Sequence, residues 1–572
     1  MGDPSMLSTR WAPPMAPRAL PLGKGNIYPL GEPHAVSVSL PTWDSVVGLS
    51  RKEQWVMEKL EWSYPRFVIV KPVDQLTKAV LKRLEIDESA TRCMMFSSKD
   101  AARKCIVSLK ASPTYSEHLS VEIVRFCMPA ESNLRKSPVH WANFSAVLLS
   151  PELWKDAMAF WRDSGAGLSS RHAEFCLEEL GYLDSDSSNP KLRSPAPRKR
   201  SHRQIPPSLM RVQAAATSLD QLKVFIGELA TSDQPNQPNV SMDDVFVYPN
   251  GMNAIYSLSE SLSSLNANST VAAYGWLYPE TVEVLRHGPW SFLSYKYGTD
   301  AELDQLERLI QSGEQVHALF CELPSNILLS SVDLPKIRAL ADKYGMMVVC
   351  DDTVAGYVNL DALPYVDVMV TSLTKTFSGT SNVTGGSVVL NPRSRYHDAI
   401  QATLLANYEN AYFPFDCSAL RDNCQDIVWR VQKCCENTLP LVELLSSHPS
   451  IATVHHPTTS PTLANYQKVM RQNGSYGNVF SIVFHDPHAA EHFYNTLDVC
   501  KGSSFGANFT IVIPYVQLAN YWNREKVPKY GVPQHILRVS VGLEDKNELL
   551  STFQRALKGV EALKPKSHCK DE

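Results

Sequence analysis

An α/β fold, with a large domain on a mainly parallel sheet and a smaller C-terminal α+β domain, is predicted by three features of the sequence. Between about residues 209 and 400, short β-branched runs alternate with helical stretches: DVFVY then MNAIYSLSESLSSL, TVAAYGW, VHALFCE then DLPKIRALADKYG, MMVVCD and VDVMV. The helix DLPKIRALADKYG is fully punctuated. Asp333 is placed to cap it and Pro335 is tolerated in its first turn; Leu334, Ile337, Leu340 and Ala341 share one face, and Gly345 stops it. After about 401, long helical runs with a few strands (NVFSIVFHD, ILRVSVGLED) predict the smaller domain, 401–572.

Ahead of this core, residues 1–208 mix helical segments (KPVDQLTKAVLKRLEI, SPELWKDAMAFWRDS, RHAEFCLEELGYL) with a polar, Pro-rich and basic stretch at about 185–208 that reads as a linker. Its PRKRSHR cluster suits a solvated connector better than a nucleic-acid patch.

Composition narrows the function classes. With 55 basic and 59 acidic residues in 572, the net charge is -4, which suits neither a general nucleic-acid binder nor a membrane-surface binder. Twelve cysteines without a CxxC pair read as free thiols, with no metal site expected. No apolar run is long enough to span a bilayer. The opening MLSTRWAPPMAPRAL has the arginines of a transit segment, but its prolines oppose an amphipathic helix, so the cytoplasm is the expected compartment.

The chemistry gathers at strand ends. Asp351 closes MMVVCD, and Lys375 follows the run ending at Ser372, so a carboxylate and an amine both lie where open α/β sheets bind ligands. The strand DVFVY runs into PNGMNA and a helix, aiming the free N–H groups of Gly251 and Met252 at the same crevice as a phosphate site. Ser372 and Thr374 add hydroxyls. Amine, carboxylate, helix N-terminus and hydroxyls together describe a site for pyridoxal 5'-phosphate: Lys375 for its aldehyde, Asp351 for its pyridine nitrogen, the helix for its phosphate. Taken singly, Asp351 also suits a turn cap, Tyr274 a strand-end core aromatic, Arg538 a solvent-facing strand position and Ser504 a turn. No G-x-G-x-x-G follows a first strand, which opposes a nicotinamide enzyme. A catalytically silent interaction protein is the other alternative, and it has no use for both Lys375 and Asp351.

Five motifs in order resemble the cystathionine γ-synthase and γ-lyase group, the Cys/Met-metabolism family of pyridoxal-phosphate enzymes: Tyr274-Gly-Trp-Leu-Tyr278, Glu322-Leu-Pro324-Ser-Asn326, Cys350-Asp351-Asp352-Thr353, Ser372-Leu-Thr374-Lys375 and Arg538-Val-Ser-Val-Gly-Leu-Glu-Asp545. VSVSLPTWDSVVG at 37–49 is similar to the opening of the long fungal type, and about 70–240 reads as an insertion beyond compact members. The resemblance implies fold type I and γ-replacement on an O-acyl-L-homoserine, with L-cysteine as nucleophile and L-cystathionine as product in methionine biosynthesis. A γ-lyase, or a carbon nucleophile such as a β-keto acid, stands as the alternative. Lys375 would shuttle protons between Cα and Cβ, and Asp351 would hold the ring-nitrogen proton. Tyr274 would stack on the ring and assist proton transfer, Asn326 would hold the ring hydroxyl, and Arg538 with Ser504 would bind the amino acid. WSYPRF at 62–67 resembles the segment by which one subunit reaches its neighbour's phosphate, which implies a homodimer or homotetramer with shared sites built on Tyr64 and Arg66. Two departures stand out: Asp352 adds a second carboxylate, and Phe509 stands where the family often has an acid, predicting a more apolar substrate pocket.

Overall fold

The computed structural model describes residues 18–129, 141–198, 207–266 and 269–563. Most of the opening segment, and residues 199–206 of the basic stretch, lie outside the described residues.

The central sheet has seven strands: β5 (Val245–Tyr248), β6 (Thr270–Tyr274), β7 (Ser291–Tyr295), β8 (Val316–Glu322), β9 (Met347–Asp351), β10 (Val368–Thr371) and β11 (Gly386–Leu390), in the order β5-β11-β10-β9-β8-β6-β7. β10, β9, β8, β6 and β7 pair in parallel, and β11 runs antiparallel between β10 and β5. The inner strands are mostly apolar because both faces are covered, with Glu322, Asp351 and Thr371 at the C-terminal ends of β8, β9 and β10. Along β8, Leu319 and Cys321 enter one core while Ala318 and Phe320 enter the other. The helix Leu334–Tyr344 forms as expected: the Asp333 carboxylate accepts the Lys336 N–H at 3.2 Å, Leu334, Ile337, Leu340 and Ala341 are buried, and Gly345 ends it at φ 74°. Strands β7 and β11 are additions to the sequence reading.

The C-terminal sheet comprises β12 (Ile451–His455), β13 (Val479–Phe484), β14 (Cys500–Lys501), β15 (Ile511–Pro514) and β16 (Leu537–Ser540), in the order β12-β13-β16-β15-β14. The division from the large core does not fall at 401. The helix Pro414–Cys424 still packs into the large core, and the change occurs within the helix Ile427–Ser446, where Ile427, Val431 and Cys435 serve the large core and Leu441, Val442 and Leu445 the small one. Val38, Leu40 and Val46 also bury into the small core, so the early chain belongs to it.

The N-terminal unit has its own antiparallel sheet, absent from the sequence reading: β1 (Arg92–Phe96), β2 (Val121–Cys127), β3 (Phe144–Leu149) and β4 (Asp184–Ser187), in the order β1-β3-β2-β4. The first part of the stretch read as a linker is therefore structured. Asp184–Ser187 pair with Val124–Cys127, and the Ser185 N–H and carbonyl bond Ser194. No helix among the described residues is long and apolar enough to cross a membrane.

Candidate active site

Strands β8, β9 and β10 deliver their C-terminal ends to one place. Glu322 and Asp351 are register partners, as are Asp351 and Val370, and Lys375 stands four residues past the end of β10. β5 leads to the helix Gly251–Leu265, whose N-cap Asn250 accepts the Asn253 N–H at 3.0 Å. Ala254 N–H bonds the Asn250 carbonyl, which leaves the N–H groups of Gly251 and Met252 without an acceptor among the described residues. A Cβ on Gly251 would lie 2.8 Å from the Ser372 Cβ, so only glycine lets the helix start lie against the lysine turn.

Around these ends is a cavity of about 540 Å³. Of the residues expected at the site, Gly251, Met252, Asn326, Asp351, Ser372, Lys375, Ser504, Arg538, Tyr64 and Arg66 all line it. The Lys375 amine donates to the Ser504 hydroxyl at 3.0 Å, lies 3.5 Å from the Tyr64 hydroxyl, and stands over the rings of Tyr64 and Phe505. Burial lowers its pKa; Tyr64 opposes this, while the guanidinium groups of Arg538 and Arg66 add to it. Against the pull of burial, Lys375 and Arg66 hold the Tyr64 phenol below its usual range. Burial raises Asp351, offset by its bonds from Thr353 and by the nearby Lys375. Glu322 is pushed well up, by burial and then by Asp351, while it accepts the backbone N–H groups of Tyr278 and Asn326.

Arg538 is buried, and burial lowers its pKa to about 10. It donates to Asn326 Oδ1 at 3.1 Å and to the Ser504 carbonyl at 2.7 Å. Ser504 adopts φ 79°, the left-handed region that a non-glycine residue holds only where its surroundings compel it, and its two oxygens receive Lys375 and Arg538.

Three expectations need correction. Tyr274 does not line the cavity: it is a core residue whose hydroxyl donates to the Thr299 carbonyl at 2.9 Å. Gly275, at φ 91°, turns the chain there, and the tyrosine that reaches the cavity is Tyr278, whose hydroxyl accepts from Arg66 Nη2 at 3.0 Å. The buried Thr374 hydroxyl is used by the glycine-rich turn, donating to the Gly385 carbonyl at 3.3 Å and accepting its N–H at 3.1 Å. Phe509 is buried against Tyr28, at 5.4 Å between ring centroids, and lies outside the cavity lining, so it does not set the polarity of a substrate pocket. Tyr64 and Arg66 line the cavity of their own chain.

Sequence reasoning missed Tyr278, Tyr515 and the wall built by Trp154, Met158 and Arg162. Tyr278 had a signal, as the second tyrosine of its motif; the wall had none. The second carboxylate, Asp352, points away from the crevice: it accepts the Thr371 hydroxyl and, at 3.1 Å, the Tyr357 N–H, and burial raises its pKa to about 7.

The residues present fit pyridoxal phosphate. A buried amine with lowered pKa, a carboxylate at the neighbouring strand end, a buried guanidinium beside a helix N-terminus, and a glycine that admits close approach of backbone are the donors such a cofactor requires. Fold and site together define a pyridoxal-phosphate-dependent enzyme. The Cys/Met metabolism PLP-dependent enzyme profile matches residues 241–558, and that of the fungal trans-sulfuration enzyme N-terminal domain matches 72–169. The chain belongs to the Cys/Met metabolism PLP-dependent family. It is 40% identical over 541 residues to the cystathionine gamma-synthase-like protein ankD of Aspergillus thermomutatus, covering 94% of each chain. It is 31% identical over 614 residues to the cystathionine gamma-synthase of Neurospora crassa, covering 95% of this chain and 99% of that one. Among solved structures, the cystathionine gamma synthase of Xanthomonas oryzae pv. oryzae in complex with aminoacrylate and cysteine matches with a TM-score of 0.51 and 21% identity, over 61% of this chain and 88% of that one. That likeness is one of fold, fold type I.

Proposed function

We propose that this enzyme catalyses γ-replacement on an O-acyl-L-homoserine with L-cysteine, giving L-cystathionine and the free acid, in a cytoplasmic step toward methionine. The observation that carries the reading is the shared use of Ser504: its hydroxyl receives the Lys375 amine and its carbonyl the Arg538 guanidinium. An amino acid whose carboxylate is held by Arg538 therefore offers its Cα to Lys375. Bound pyridoxal phosphate supplies the electron sink for charge developing on the substrate carbons. Lys375, its pKa lowered, would take the proton from Cα, pass it on within the site and, neutral again, take the proton from Cβ; only then would the γ-acyloxy group leave, and once Cγ has been attacked protons would return to Cβ and Cα. Asp351 would hold the proton on the ring nitrogen, and Tyr278 would offer its ring as the stacking face. Cysteine sulfur then attacks Cγ as its thiol proton is released. Without a nucleophile, loss of the acyloxy group followed by hydrolysis with water would give 2-oxobutanoate, ammonium and the free acid.

A second reading, a carbon nucleophile of the β-keto acid type, draws on the apolar side chains in the cavity lining, among them Phe67, Trp154, Met158 and Leu518. The resemblance across nearly the whole chain keeps cysteine first.

The test is product analysis by mass spectrometry of the cofactor-loaded protein fed O-acetyl- or O-succinyl-homoserine with cysteine, with acetoacetate, or alone. Cystathionine formation is expected. Elimination without cystathionine, together with a new amino acid from acetoacetate, would overturn cysteine but keep the mechanism; inertness toward every O-acylhomoserine would overturn both.

A further inference from the structure

The N-terminal unit reaches the site through the helix that carries Trp154, Met158 and Arg162. The helix Trp154–Ser164 stops at Gly165, which takes φ 63°. Three carbonyls at this terminus each receive a side chain from the opposite wall. The Arg162 carbonyl accepts Arg66 Nη1 at 3.0 Å, the Ser164 carbonyl accepts Asn253 Nδ2 at 2.9 Å, and the Gly165 carbonyl accepts Asn250 Nδ2 at 2.7 Å. The last carbonyls of a helix lack intrahelical donors and carry partial negative charge, which suits amide donors and a guanidinium above all. The fit is close: a Cβ on Gly165 would lie 2.2 Å from Asn250 Oδ1 and 2.8 Å from the Asn253 nitrogen.

The three donors share one location. Asn250 caps the helix Gly251–Leu265, Asn253 lies in its first turn, and Arg66 lines the cavity together with Gly251 and Met252. Arg66 spends Nη2 on Tyr278 and Nη1 on the Arg162 carbonyl, so both its orientation and that of the stacking tyrosine depend on this helix end.

We infer that residues 162–165 are a positioning element for the phosphate end of the cofactor site, with Asn250, Asn253 and Gly165 as positioning residues, and that the N-terminal unit is therefore a structural part of cofactor recognition. This rests on the phosphate lying at the N-terminus of Gly251–Leu265. Asn253→Ala deletes one of the three links and keeps the cap, since the cap uses the Asn253 backbone N–H.

The experiment measures binding of pyridoxal 5'-phosphate and of pyridoxal, which lacks the phosphate, to the cofactor-free full chain by fluorescence quenching, alongside the melting temperature of that form. Asn253→Ala is expected to weaken pyridoxal phosphate about tenfold, the value of one hydrogen bond, while weakening pyridoxal less than about twofold. Gly165→Ala should act in the same direction and more strongly; if it fails to fold, Asn253→Ala alone decides. Equal weakening of both ligands, or of neither, overturns the inference. Gly251→Ala separates the causes of failure. If it narrows the preference for the phosphorylated ligand while Asn253→Ala does not, the helix-end role is wrong and the phosphate placement stands; if neither does, both are wrong.

Discussion

The Lys375 amine and the Ser504 hydroxyl meet at 3.0 Å across a sequence separation of 129 residues, joining the end of a strand of the large sheet to a loop of the C-terminal unit. The amine proposed to condense with the cofactor aldehyde is thus held by a residue in strained, left-handed backbone. Lys375→Ala is expected to leave a folded protein that lacks the yellow visible band and has no measurable turnover, because Lys375 is the amine held at the strand ends beside Asp351. Retained absorbance and turnover in this variant would refute the assignment of Lys375.

Asp351→Ala tests a different part of the site. The helix start at Gly251 and the Arg66 guanidinium survive this change, so the variant should still bind cofactor, but without the carboxylate that holds the ring-nitrogen proton it should lose most of its kcat. Spectral titration with pyridoxal phosphate, paired with turnover, checks this; turnover equal to that of the unsubstituted enzyme would remove Asp351 from the role.

The neighbouring Asp352 is expected to govern stability rather than chemistry. Burial raises its pKa to about 7, so the folded state keeps the proton up to neutral pH, while the unfolded chain releases it at about pH 4. Its contribution is fully present below about pH 4 and drains away as the pH rises through 7, a loss on the order of a few kcal/mol. Asp352→Asn has no proton to release, so its urea midpoint relative to the unsubstituted protein should rise between pH 5 and pH 8. A difference that stays constant over that range would show that another group carries the dependence.

The two tyrosines of one motif should separate cleanly. Tyr274→Phe removes a buried bond to the Thr299 carbonyl and should cost about 1 kcal/mol of stability with the visible band unchanged. Tyr278→Ala removes a cavity wall and the partner of Arg66, so cofactor affinity and turnover should both fall. The reverse pattern would restore the stacking role to Tyr274.

These tyrosines show where the sequence was legible and where it was not. Asp351 and Lys375 could be placed because each follows an apolar β-branched run, and period and position then fix a strand end. Which of Tyr274 and Tyr278 enters the crevice depends on the turn at Gly275, a backbone angle that no periodicity encodes. The wall of Trp154, Met158 and Arg162 was hidden because its helix reads as an ordinary amphipathic one whose function comes only from what it packs beside. The N-terminal sheet escaped because RCMMF, VEIVRFC and FSAVLL lie among strong helical patterns without clear hairpin turns. Phe509 misled because a substitution within a motif was read as a change in the pocket, when the chain buries that ring against Tyr28.

Subunit mixing gives the last test. In the resembled family the Tyr-x-Arg segment serves a neighbour, and an Arg66→Ala chain mixed with a Lys375→Ala chain would then rebuild one intact site. Here the Tyr64 hydroxyl lies 3.5 Å from the Lys375 amine of the same chain, and Arg66 is tied to the Arg162 carbonyl and to Tyr278 of that chain. Each mixed partner thus keeps its own defect in its own cavity: one lacks the amine, the other the guanidinium. The expected outcome is no recovery of activity on mixing, even after subunit exchange has been verified with differently tagged chains. Recovery toward about one quarter of the unsubstituted activity, the share expected when half the sites of half the dimers are rebuilt by random exchange, would show that the segment crosses between subunits in the assembled enzyme.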